Sequence, residues 1–191
     1  MLRQLWKIFQ TKRTVIPTKV VRDDSSELSL IGEQLQVHIQ KIFGGSLAIR
    51  EVAAGSSNAE EQELTALSNP FYDIERFGIH FVASPRHADM LMVTGPISRN
   101  MVDAVKATYM AMPTPKIVVA VGDGAIHGGI FRGSYAIIDQ LSDVIPVDYC
   151  IPGDPPSPLR VLQALLHILD QKSQGNRPML ENTSQPRPDS K

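Results

Sequence analysis

The chain has 191 residues, 42% of them hydrophobic, with a formal net charge of -1 at pH 7 and a pI near 6.5. That length suits one well-buried domain rather than two, and the near-neutral charge argues against a nucleic-acid partner. A single cysteine, Cys150, excludes a disulfide within the chain; with no secretory pattern and no long apolar run, a reducing, cytoplasmic setting is expected.

Residues 1–23 read as a basic amphipathic arm. Arg3, Lys7, Lys12, Arg13, Lys19 and Arg22 precede the first acid, Asp23, and Leu2, Leu5, Trp6 and Phe9 fall at helical spacing. Such a segment suits a membrane surface or a membrane-bound partner, and docking on the chain's own domain is an equal alternative. Residues 24–44 form the first amphipathic helix, with Leu28, Ile31, Leu35, Ile39 and Ile42 in period. Asp24 and Glu27 have capping-box spacing, and Gly44 with Gly45 supplies the stop.

The alternation in SLAIREV, residues 46–52, predicts the first strand. Residues 55–64 then enter a helix that buries Leu64 and Leu67, with Ser57 and Glu60 spaced as a capping box and Asn69–Pro70 as the stop. Further strands are expected at 79–83 and 90–95. A helix follows, opened by Asn100 and Asp103, carrying Met101, Val105 and Met112 on one side and ended by Pro113.

The stretch from Lys116 to Phe131 is the centre of the pattern. Ile117, Val118, Val119 and Ala120 read as a strand covered on both faces, as in a parallel sheet. The loop after it is rich in glycine (Gly122, Gly124, Gly128, Gly129), so main chain there can approach something bound at the strand's carboxyl end, where ligands sit in open α/β sheets. A short helix near 134–141, a fifth strand over 143–150 containing Pro146, and a last helix follow. That helix is capped by Ser157–Pro158 and buries Leu159, Leu162, Leu166 and Leu169. Residues 171–191 are polar and read as a disordered tail, in which the sequon at Asn182 is accidental. Alternating strands and helices predict a single α/β domain, a flavodoxin-like open parallel sheet with helices on both faces.

The segments SLAIREV, GSSNAEE, YDIERFGIHFVASPRHADMLMVTGP, MPTPKIVVAVGDG, HGGIF and VIPVDYCIPGDPP resemble, in order and spacing, the small electron-transfer subunit of group 4 membrane-bound nickel-iron hydrogenases. The group includes the formate hydrogenlyase type, and the wider family includes the B subunit of respiratory complex I. The resemblance covers residues 45–170. It implies a hydrogenase- or complex I-like large subunit and membrane-embedded subunits as partners, and a peripheral place on the inner face of the cytoplasmic membrane. It also implies four cysteines holding one 4Fe-4S cluster, because soft thiolates match iron in such clusters. At the matching positions this chain has Ser57, Glu60, Gly124 and Asp154.

Glycine offers no ligand atom, and Cys150 lies four residues before the last ligand position. The expectation is therefore no cofactor: a cluster-less subunit, non-catalytic by itself, serving assembly or coupling to an ion-translocating module. The alternative is an electron-transfer subunit that holds the cluster through atypical ligands. A third reading gathers Glu60, Asp123, Asp154 and His127 around a hard cation, against the commoner one of solvated loop charges. Arg86 and His87 suit a subunit or quinone-facing surface or, equally, a loop ion pair with Asp89. Glu75 and Arg76 read as surface or interface pairs, and Met90, Met92, Met101, Met110 and Met112 as core or interface packing. No nucleophile-base-acid set is visible, and GDGAIHGG lacks the Lys-Ser/Thr ending of a P-loop.

Overall fold

The computed structural model describes residues 24–174; the amino arm and most of the polar tail lie outside the described residues, as does the Asp24 side chain of the first capping box. Five parallel strands form the main sheet: β1 (Leu47–Ala53), β2 (Ile79–Phe81), β3 (Met90–Thr94), β5 (Ile117–Val121) and β7 (Tyr149–Ile151). Their spatial order is β2-β1-β3-β5-β7. Counting only these strands the order is 2-1-3-4-5, the flavodoxin-like winding that reverses direction beside β1 and leaves a crevice at the carboxyl ends of β1 and β3.

Alternate residues of each strand feed two cores, because side chains in a strand point to opposite faces. Ile49, Met90, Met92, Ile117 and Val119 meet α1 (Asp24–Phe43), α2 (Ala59–Ala66) and α5 (Pro158–Ser173) through Leu35, Ile39, Leu64, Val161 and Leu165. Val52, Leu91, Val93, Val118 and Ala120 face α3 (Val102–Ala111) through Val105 and the cross-chain residues Met112, Leu141 and Ile145. β3 and β5 are buried along their whole length, which explains their continuous apolar runs. Leu28, Ile31, Leu35 and Ile39 of α1 are buried as the period predicts, and the helix stops at Gly44, whose φ of 72° favours glycine.

Several local expectations are corrected. Residues 134–141 are not helical. Ile137–Ile138 form β6, which pairs antiparallel with β4 (Ile97–Ser98), and Arg99 binds the carbonyls of Ala136 and Tyr135, at 2.9 Å from its amide and 2.7 Å from Nε. Two adjacent β-branched residues facing a partner strand outweigh a weak local helix preference. The strand expected over 143–150 shrinks to Tyr149–Ile151: Pro146 has no N–H to give the ladder, and pairing begins only where Asp148 N–H reaches Val118 O at 2.9 Å.

The start of α2 also differs. Its N-cap residue is Asn58, at φ 72° with no side-chain cap, so Ser57 and Glu60 do not form the expected capping box. α3 begins after a 3-10 turn at Arg99–Met101 and has no side-chain cap from Asn100. Of the methionines, Met90, Met92 and Met112 are buried, whereas Met110 is 76% exposed. In α5 the buried stripe runs through Val161, Leu162, Leu165, Ile168 and Leu169, leaving Leu159 and Leu166 half-buried. The helix continues to Ser173, past the boundary expected at 170.

Candidate functional site

The crevice is built where β1, β3, β5 and β7 end. From β1 the chain passes through Gly55–Asn58 into α2, whose first turn carries Glu60 and Glu61. β5 ends at Gly122, whose φ of 85° turns the chain into the short helix α4 (Asp123–His127). The sequence pattern showed only a glycine-rich loop there. β7 leads through Gly153 and Asp154 to α5.

Backbone and side-chain bonds stitch the ends of β5 and β7 together. Gly122 N–H donates to Ile151 O at 2.9 Å, Asp123 N–H to Gly153 O at 2.8 Å, and Gly153 N–H to Asp123 Oδ1 at 3.0 Å. Glu60 reaches into this junction and is only 4% exposed. Its carboxyl lies so close to Gly122 that a Cβ there would stand 2.8 Å from Oε1. Burial raises the Glu60 pKa, its own backbone amide opposes that shift, and the charges of Glu61, Asp154 and Asp123 add to it.

Three further polar residues belong to this rim and were not singled out in the sequence. Glu61 Oε1 accepts hydrogen bonds from the hydroxyls of Ser56 and Thr94, and Thr94 is fully buried at the end of β3. Glu51, in β1, has its pKa raised to about 7, first by burial and then by the charge of Glu61, with Arg50 pulling the other way. Oε2 of both Glu60 and Glu61 is buried without a hydrogen-bond partner among the described residues. The signals for these were faint: a second glutamate in GSSNAEE, and one hydroxyl closing the apolar run MLMVT.

Residues 58–168 match the family described as NADH ubiquinone oxidoreductase, 20 Kd subunit. The chain belongs to that family. Among similar members is the probable membrane-bound hydrogenase subunit mbhJ of Pyrococcus furiosus, 40% identical over 131 residues, which are 69% of this chain and 78% of that one. Formate hydrogenlyase subunit 7 of Escherichia coli is 38% identical over 147 residues, 75% of this chain and 58% of its own length. A solved structure of the membrane-bound sulfane sulfur reductase, an archaeal respiratory membrane complex, contains a chain that superposes with a TM-score of 0.62 at 33% identity, covering 75% of this chain and 77% of that one. Among the described residues no helix is long and apolar enough to cross a membrane.

Ser57, Glu60, Gly124 and Asp154, the residues expected from the resemblance at the cluster-ligand positions, offer no thiolate to an iron-sulfur cluster. Ser57 and Asp154 are exposed, Gly124 has no side chain, and Glu60 is buried against Gly122. The donors are hard oxygens, where iron-sulfur chemistry uses soft thiolates. A hard cation fares no better: among the described residues no group of three or more His, Cys, Asp and Glu is placed to hold a metal ion. Asp123 spends an oxygen on Gly153, and exposed His127 uses Nδ1 to accept from Gly129 N–H at 3.3 Å.

Other singled-out residues take local roles. Asp89 accepts from Ala48 N–H at 3.0 Å, while Arg86 and His87 stand exposed on a 3-10 turn. Arg76 stacks its guanidinium 4.5 Å from the Phe77 ring centroid. Cys150 is exposed on edge strand β7, with its thiol pKa raised by desolvation.

Proposed function

We propose that this chain is a cluster-less member of its family, a peripheral subunit of a membrane-associated complex of the hydrogenase or complex I type. It serves assembly, or coupling to an ion-translocating membrane module, rather than carrying electrons. One observation carries this reading: residues 58–168 match the family, and the four positions read as its cluster-binding set, Ser57 just before that stretch and Glu60, Gly124 and Asp154 within it, hold no cysteine. Loss of a single thiolate is compatible with a retained cluster; loss of every one removes the chemistry that binds it.

The similar proteins support the setting. One is described as a membrane-bound hydrogenase subunit, another as a formate hydrogenlyase subunit, and the structural neighbour as part of a respiratory membrane complex. On this reading the chain packs against a large hydrogenase- or complex I-like subunit and membrane-embedded subunits, on the cytoplasmic side. Residues 45–170 form the family domain, and the basic arm of residues 1–23 lies at the membrane boundary.

Ile130 and Tyr135, 85% and 91% exposed, and the half-exposed Phe131 follow α4 beside the former cluster site. Large apolar side chains grouped in this way suit burial by another subunit.

The test is iron and acid-labile sulfide content, with an EPR spectrum, of the anaerobically purified native complex against the same complex lacking only this subunit. Equal content and unchanged spectra are expected. Loss of about four irons per copy with a missing signal would return the chain to electron transfer.

A further inference from the structure

We infer that the cluster site is closed in the backbone as well as emptied of thiols, so that cysteines returned to positions 57, 60, 124 and 154 would not assemble a tetranuclear cluster. This rests on the cluster-less reading above and goes one step beyond it.

The first closure is the approach of two main-chain segments. A Cβ on Gly124 would stand 2.6 Å from the carbonyl carbon and oxygen of Gly95 and 2.8 Å from Pro96 N. A Cβ on Gly95 would stand 2.6 Å from Ala125 N and 2.7 Å from its Cα. Real Cβ atoms do not approach this closely, and because the obstacles are backbone atoms, no rotamer change relieves them. The segments also cannot readily slide apart. Gly95 directly follows β3 and Gly124 lies in the first turn after β5, and these strands are paired up to Thr94↔Val121.

Glu60 adds a side-chain closure in the wild-type chain; E60C removes it, so a variant with cysteine at all four positions tests the backbone closure alone. Glu60 places Oε1 at 2.8 Å and Cγ at 3.0 Å from the point a Gly122 Cβ would occupy. A buried carboxyl with an unpartnered oxygen is not a side chain that packing would select for its own sake. Its methylenes and carboxyl occupy volume at the junction of β5 and β7, which Asp123 and Gly153 already hold shut.

The test uses the variant S57C/E60C/G124C/D154C in the native complex, purified anaerobically and treated with ferrous iron and sulfide. The expected result is no more iron or sulfide than in the wild-type complex treated alike. A gain of about four irons and four sulfides per copy, with a new EPR signal on reduction, would overturn the inference. Because a misfolded variant would also gain nothing, a second variant reads the closure directly. Gly124→Ala in the full-length chain should lower the thermal midpoint, although alanine in place of a helical glycine ordinarily raises it. A midpoint at or above wild type would overturn the backbone closure. Failure of the underlying reading is separable, since it shows in the wild-type complex, as cluster iron that disappears when this subunit is deleted.

Discussion

β3 and β5 bury every residue from Met90 to Thr94 and from Ile117 to Val121, while the first turn of α2, at the carboxyl-end rim of the sheet, buries Glu60 and holds Glu60 and Glu61 with one oxygen each unpartnered among the described residues. The two regions adjoin, and Thr94 belongs to both. Within β3 and β5, burial and hydrogen bonding agree, as they do in interiors selected for stability. At the rim they conflict: the carboxylates of Glu60 and Glu61 are buried, each with one oxygen unpartnered among the described residues. The difference teaches that the fold's stability resides in the two apolar layers, and that the rim tolerates side chains the layers would reject.

Leu35→Ala in α1 should sharpen this contrast most. Leu35 is fully buried in the layer under the sheet, so truncation should cost about 3 kcal/mol, read as a lowered denaturant midpoint with an unchanged slope. A loss under about 1 kcal/mol would mean that the layer is not the seat of stability.

Thr94→Val keeps the shape but removes the hydroxyl that Glu61 accepts from. A destabilisation of about 1–2 kcal/mol is expected in the same assay, and a neutral result would show that Glu61 is already relieved by water.

Glu51→Gln tests the electrostatics of the rim. The folded pKa is raised from 4.5 to about 7, so the contribution of Glu51 is full below pH 4.5 and is lost as pH rises towards 7. The glutamine variant should match wild type at pH 4 and exceed it by about 1 kcal/mol at pH 8, a figure reduced from the full shift because the carboxyl is partly solvated. Identical stability-pH curves for the two proteins would remove Glu51 from the strained set.

Ser57→Ala should do least. Ser57 is exposed and caps nothing, so a change within about 0.5 kcal/mol is expected. A larger loss would reveal a bond that the capping geometry does not show.

Much of this was legible in the chain. The period of Leu28, Ile31, Leu35 and Ile39, the unbroken run from Ile117 to Val121 and the Pro158 helix start are local patterns whose burial follows from a single element's geometry. The segments around residues 57–60, 122–124 and 152–156 carried the family with no structure needed. The misreadings occurred where a distant partner outweighs local preference. Ile137–Ile138 became a strand because β4 lies opposite.

The alternation of strands and helices, the apolar periodicity of the two layers and the presence of one cysteine, Cys150, follow from the chain alone, because composition and periodicity are properties of neighbouring residues. Only the tertiary structure decided that Glu60 would be buried against Gly122, that Thr94 would serve Glu61 across 33 residues of chain, and that Gly95 would close on Gly124. Those are contacts between the ends of different strands, and their distances are set by sheet register and crossover geometry rather than by any pattern along the chain.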